Sequence, residues 1–255
     1  MKILPNLKKL STKYRYLKRK FDIFLEKNVS YRHDYNLKVI RQELNSISSF
    51  NELYNFSQKH FGLIQIKSEI GSFLDFALQR QPKIVLEIGL KNAGNSFLFL
   101  HYLDNVEDLI CIDIKLNNLG KLNCLKKNSQ KILFIEGSSQ SDFSIKKVVQ
   151  KLNGRFIDLL FIDGDHSYDG VKNDFYAYQH LVKDGGIIVF HDIVSDKNES
   201  EYEQSSFRES LIYSGGVPKF WNEIKDHYQH KEFIENPEQR GFGIGALIKD
   251  RLLTP

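Results

Sequence analysis

Cysteine is nearly missing from this chain, with only Cys111 and Cys124 in 255 residues. Two thiols at that spacing make neither a disulfide framework nor a zinc site, and a reducing cytoplasm is the expected home. Long apolar runs are missing too. No stretch approaches the roughly twenty apolar residues a membrane-spanning helix needs, and no continuous apolar segment of signal-peptide type stands near Met1. The chain has five prolines, one tryptophan and no internal repeat. Charge is nearly balanced, 36 basic against 32 acidic residues, and no nucleic-acid reading motif accompanies the basic ones. Nucleic acid is therefore not an expected partner.

The basic excess is local. Lys2, Lys8, Lys9, Lys13, Arg15, Lys18, Arg19 and Lys20 all precede the first acidic residue, Asp22. Leu7, Leu10, Tyr14, Leu17, Phe21 and Phe24 recur there at spacings of three and four, which predicts a helix with one apolar and one basic face. Such a helix packs on its own domain or on a second subunit of a homo-oligomer; its other use is peripheral attachment to an acidic membrane surface. Residues 1–60 are accordingly set apart as an N-terminal helical segment, and 61–255 as the main domain.

From residue 84 onward short apolar runs alternate with helical patterns. Ile84–Ile88, Leu109–Ile112, Ile132–Ile135, Leu159–Ile162 and Ile187–Phe190 read as strands buried on both faces, and the alternation predicts a parallel sheet covered by helices. Lys231–Ile234 and Phe242–Ile248 suggest a closing antiparallel hairpin, while Ser195–Ser206 reads as a mobile loop. Polar residues gather where the runs stop. Asp163, Asp165 and His166 follow one strand, and His191 and Asp192 end another after a helical crossover. Right-handed crossovers place such strand ends on one edge of the sheet, where open α/β folds bind their ligands.

The first strand runs into Glu87-Ile88-Gly89-Leu90-Lys91-Asn92-Ala93-Gly94-Asn95-Ser96. Gly89 and Gly94 suit a tight turn against a ligand, but Leu90-Lys91 occupies the place of the second glycine of G-x-G-x-x-G, which argues against a nicotinamide cofactor. Asp113, at the end of the second strand, is placed to take a ribose diol, or to cap a turn. Glu87 ends an apolar strand and needs a cation or several donors to offset its desolvation.

This order of motifs resembles the class I S-adenosylmethionine-dependent methyltransferases, and within them the branch containing cephalosporin hydroxylase-like and macrocin O-methyltransferase-like enzymes. The resemblance spans residues 65–248 and rests on the Glu-x-Gly loop, Asp113, the Glu136-Gly137-Ser138-Ser139 turn, Asp163-Gly164-Asp165-His166 and Phe190-His191-Asp192. It implies a Rossmann-like, doubly wound α/β sheet of seven strands, mostly parallel with the last antiparallel, preceded by N-terminal helices. It implies S-adenosylmethionine as cofactor, held by Glu87, Gly89, Asn92, Gly94, Ser96, Asp113, Gly137, Ser138, Ser139 and Asp163. Two departures bear on adenine contacts: Ala93 stands where relatives often have glycine, and Ser138 where many have aspartate.

The same resemblance implies a divalent metal, magnesium or manganese, on Asp163, His191 and Asp192. An imidazole at 191 shifts preference away from magnesium, which favours oxygen donors. Bound at the acceptor alcohol, such an ion lowers its pKa and orients it. Asp165 is the general base by resemblance; His166 competes because an ordinary imidazole titrates at about 6.5. The expected reaction is metal-assisted O-methylation of a small molecule or a sugar or glycan precursor. The alternatives are a metal-independent methyltransferase and a non-catalytic binding or scaffold protein of the same fold.

Overall fold

The computed structural model describes residues 30–196 and 214–250. The basic stripe of residues 2–24 and most of the 195–206 loop lie outside them. The chain divides into two compact units between Ile47 and Ser48, earlier than the boundary at 60 expected from sequence. In the first unit the described element is α1 (Ser30–Asn45).

The second unit begins with α2 (Phe50–Phe61), which starts at a complete capping box: the Ser49 hydroxyl accepts from the Glu52 amide, and the Glu52 carboxylate accepts from the Ser49 amide. Gly62, with φ 61°, ends the helix in the left-handed conformation that spares it a Cβ clash. Then follow α3 (Lys67–Leu78), β1 (Ile84–Ile88), α4 (Gly94–Tyr102), β2 (Asp108–Asp113), α5 (Leu119–Leu125), β3 (Lys131–Glu136) and α6 (Asp142–Leu152). The order continues with β4 (Ile157–Ile162), α7 (Tyr168–Tyr178), β5 (Val182–His191), α8 (Val217–Ile224), β6 (Gln229–Phe233) and β7 (Ile244–Ile248).

The seven strands form one sheet in the order β3-β2-β1-β4-β5-β7-β6. Strands β1 to β5 pair in parallel, and β7 runs antiparallel to both β5 and β6. The sequence expectation of a mostly parallel seven-stranded sheet with the last strand reversed holds. Its boundaries shift: β5 starts at Val182, before the Gly185-Gly186 pair, because the crossover helix stops at Tyr178.

Strand alternation sorts the core into two layers. Ile84, Leu86 and Ile88 belong to a cluster with Val148, Leu152, Val171, Phe175, Phe220 and Trp221 from α6, α7 and α8. On the opposite face Phe161 meets Phe73 of α3 and Phe99 of α4, at ring-centroid distances of 5.8 and 5.3 Å. Burying each such ring stabilises the fold by about 2–3 kcal/mol. Glu87 alternates onto this second face, under α4. Among the described residues no helix is long and apolar enough to cross a membrane.

Candidate active site

A cavity of about 850 Å³ opens at the carboxyl ends of the parallel strands, where the strand order reverses around β1 and β4. Its walls include residues just past β1 (Gly89, Lys91, Asn92), β2 (Asp113, Ile114, Lys115), β3 (Gly137, Ser138, Ser139), β4 (Asp163, Asp165, His166) and β5 (His191, Asp192). All five strand ends that the sequence marked therefore meet one space.

The β1 loop is conformationally costly. Lys91 and Ala93 sit at φ 49° and 70°, the left-handed region that non-glycine residues avoid, and Gly89 at φ 90°. The Ala93 value gives a physical reason for glycine at that place in relatives. Gly89 is required for a second reason: a Cβ there would collide with the backbone carbonyl of Asp163. The glycine that sequence reasoning assigned to ligand approach thus first serves the close approach of β4. Gly94 lets α4 meet the Gly62–Gln65 turn, since a Cβ would press on Leu63.

Glu87 is fully buried behind this loop. Its Oε2 accepts from the Ser96 hydroxyl, while Oε1 has no hydrogen-bond partner. Burial raises its pKa to about 8; Ser96 opposes the rise, and Asp163 and Asp113 add to it. Asn95 Oδ1, in the same turn, is also buried without a partner. Asn95 lines the cavity and Glu87 lies behind it, and orphaned acceptors so placed fit a donor-rich cation.

Asp113 accepts from the backbone amides of Lys91 (2.7 Å) and Lys115 (2.9 Å), one on each oxygen. The turn-capping role is therefore realised, and each oxygen keeps a lone pair for a ligand. At the β3 end the Ser139 hydroxyl donates to buried Asp174 (2.6 Å) and the Ser139 carbonyl accepts from Tyr178 (2.5 Å), so α7 holds this wall from beneath. Asp174 was not singled out in the sequence; it stands mid-helix and carries no motif. Burial lifts its pKa to about 6, opposed by Ser139 and Gln140.

At the other end, β4 and β5 pair Ile162 with Phe190, so the next residues, Asp163 and His191, lie side by side. Asp192 follows at φ 63°, which turns its carboxylate back toward them. One ligand-type atom from each of Asp163, His191 and Asp192 lies within 4.8 Å of the others. His191 Nδ1 is 3.3 Å from both Asp163 Oδ1 and Asp192 Oδ2. His166 joins them, with Nε2 3.3 Å from Asp163 and Nδ1 3.4 Å from Asp192. Charge-assisted hydrogen bonds are shorter, about 2.7–2.9 Å, whereas donors sharing one divalent ion at about 2.1 Å stand about 3 Å apart. The donor set thus fits a divalent cation.

Without a cation the same groups act as an ion-pair network. Burial works to raise the pKa of Asp163, but the His191 charge and the hydrogen bonds from His166 and His191 outweigh it and hold the carboxyl below its ordinary range. Burial likewise disfavours the His191 imidazolium, and Asp163 and Asp192 overcome it, raising that pKa well above the ordinary value. Asp165 is placed differently. Its Oδ1 accepts from the Ser167 amide at 2.9 Å at the start of α7, and its carboxyl packs where a Gly170 side chain would stand. Sequence reasoning missed Phe242, Ile64 and Gln65, which also line the cavity; Gly62 after a capped helix was the available signal for the last two.

Comparison with known proteins gives this architecture its class. Residues 86–193 match the family profile described as a methyltransferase domain. Over that span the chain is similar to methyltransferase domains. An uncharacterised protein of Acanthamoeba polyphaga mimivirus is 40% identical over 115 residues, 42% of this chain, and the chain spans about half the length of that relative (50%). Among solved structures, the O-methyltransferase TomG from Streptomyces achromogenes, in complex with SAM, superposes with a TM-score of 0.53 at 15% identity, covering 80% of this chain and 91% of that one. An O-methyltransferase from Bacillus cereus, in complex with SAH, gives a TM-score of 0.50 at 15% identity, covering 80% and 93%. At that identity the likeness speaks for the fold.

Proposed function

We propose that the chain is an S-adenosylmethionine-dependent O-methyltransferase assisted by a divalent metal, acting on a hydroxyl of a small molecule or sugar. The observation that carries this reading is the convergence of Asp163, His166, His191 and Asp192 in the same cavity as Asp113, with the unpartnered Oε1 of Glu87 behind its floor. One end suits the cofactor and the other the acceptor.

Glu87 meets the ammonium of the cofactor's amino-acid end, and Asp113 its ribose hydroxyls, with Gly137–Ser139 beside the base. Asp163, His191 and Asp192 are the metal ligands. The bound cofactor supplies a methyl group on a sulfonium leaving group, and the metal supplies Lewis acidity and a template for the acceptor oxygen. Positioning by the chain accounts for most of the rate in such a transfer. The acceptor proton goes to His166, whose ring lies against both carboxylates; Asp165 is tied to the start of α7 and comes second.

A metal-free variant of the same reaction is favoured by one observation, the mutual satisfaction of His191, His166 and the two carboxylates as ion pairs. Titration calorimetry with SAH tests the cofactor: micromolar-range binding supports the proposal and absent binding sinks it. Metal analysis of chelated protein, followed by methyl-transfer assays with magnesium and manganese restored, tests the metal. Full activity after chelation removes it.

A further inference from the structure

One aromatic side chain at the acceptor end is held in a conformation that only a surrounding framework can maintain. Gly241, Phe242 and Gly243 adopt φ 72°, 58° and 80°, three consecutive left-handed residues of which the middle one is bulky. A non-glycine residue there is strained and persists only where neighbours over-determine it. The framework is visible. Buried Glu69, on α3, accepts from the Gly243 amide (2.9 Å), the Gln239 side chain (2.6 Å) and the Glu235 amide (3.1 Å). On the other side, Val194 donates to the Phe242 carbonyl (2.9 Å) and Gly241 to Ser195 (3.1 Å), which joins this turn to the segment just past Asp192.

The effect is to present Phe242 to the cavity. Its ring stands 6.0 Å from the His191 ring, edge to face, and it lines the cavity together with Leu63 and the half-exposed Ile64. The Phe242 backbone extends the β5–β7 contact through Val194, while its side chain stands outside β7, which starts two residues later at Ile244. A glycine at 242 would relieve the backbone, so the aromatic ring is what the strain is maintained for.

We propose that Phe242 is the specificity-determining residue for the acceptor: its face seats the flat or C–H-rich face of a ring whose hydroxyl reaches the Asp163–His191–Asp192 cluster. The inference rests on the methyltransferase reading and narrows its acceptor to ring-borne alcohols, either aromatic diols or pyranosides. Open-chain alcohols lack the face that Phe242 meets.

The test uses the full chain saturated with SAH, and two probes, catechol and methyl α-D-mannopyranoside, followed by saturation-transfer difference NMR and by competition. Wild-type protein is expected to saturate the ring protons of one probe, and which one identifies the source of the ring. Phe242→Leu is expected to weaken that probe about three- to tenfold, the range for losing an aromatic contact, and Phe242→Gly at least as much. Both variants should keep wild-type SAH affinity, and Phe242→Gly should keep its melting temperature, because glycine suits φ 58°. If Phe242→Gly binds the probe as tightly as wild type, or wild type binds neither probe while SAH binds, the inference is overturned. Absent SAH binding to wild type instead overturns the methyltransferase reading beneath it.

Discussion

Replacing Glu87 by glutamine separates what this residue costs the fold from what it gives the site. Its folded pKa of about 8, against an ordinary 4.5, arises from burial and exceeds what Ser96 gives back. Because the folded value is raised, the carboxyl favours the folded state fully below about pH 4.5. That advantage is lost as pH rises and levels off above about pH 8. At pH 7 the difference amounts to about 3 kcal/mol, from 1.36 kcal/mol per unit between 4.5 and 7. Glutamine cannot ionise and keeps an oxygen for the Ser96 hydroxyl.

Urea unfolding at several pH values, without ligand, is therefore expected to show Glu87→Gln gaining stability relative to wild type between pH 5 and 8. The ligand reverses the preference. An ammonium at Oε1 pulls the Glu87 pKa down, so SAH binding at pH 7 releases about one proton, measured by calorimetry in buffers of different ionisation enthalpy. Glu87→Gln should release none and bind at least tenfold more weakly. A stability difference that is flat from pH 5 to 8, or SAH binding without proton release, refutes the account of Glu87.

His166→Ala should lower turnover by a factor of about 10² or more with SAH affinity intact, whereas Asp165→Asn should retain most of it; the reverse order returns the base to Asp165. Gly89→Ala meets backbone on β4 at a φ of 90°, and should cost more than about 3 kcal/mol in denaturant unfolding, since neither strand can yield. Ser49→Ala breaks one of the two bonds of the capping box and should cost about 1 kcal/mol without changing SAH affinity.

The sheet was legible because buried parallel strands are short apolar runs, and β2 to β5 each end at or just before a polar residue that can be counted along the chain. The meeting of Asp163, His191 and Asp192 at one edge was legible for the same reason. What could not be read was lateral: that Asp113 already serves the Lys91 and Lys115 amides, or that His166 faces two carboxylates rather than solvent. Those depend on loop conformation, with left-handed Lys91, Ala93 and Asp192 that no residue type announces. Helix α2 was read only as part of a helical N-terminal segment, although Ser49-Phe50-Asn51-Glu52 is a capping-box pattern that marks its start. Phe242 hid inside a β7 run drawn two residues too long.

The two halves of the site are not independent, and Gly89 is the reason. Ile88 pairs with Ile162, the Ile88 carbonyl accepts from the Asp163 amide at 2.8 Å, and the absent Gly89 side chain leaves room for the Asp163 carbonyl. The loop proposed to hold the cofactor and the aspartate proposed to hold the metal are thus parts of one backbone contact. A shift of either strand end of even a few tenths of an ångström moves the other. In-line transfer demands that kind of coupling, because the methyl donor and the acceptor oxygen must be held within about 3–3.5 Å along one axis. The strain at Lys91 and Ala93 on one side, and at Asp192 and Phe242 on the other, then falls on the segments proposed to aim the two partners, while the strands between them stay regular.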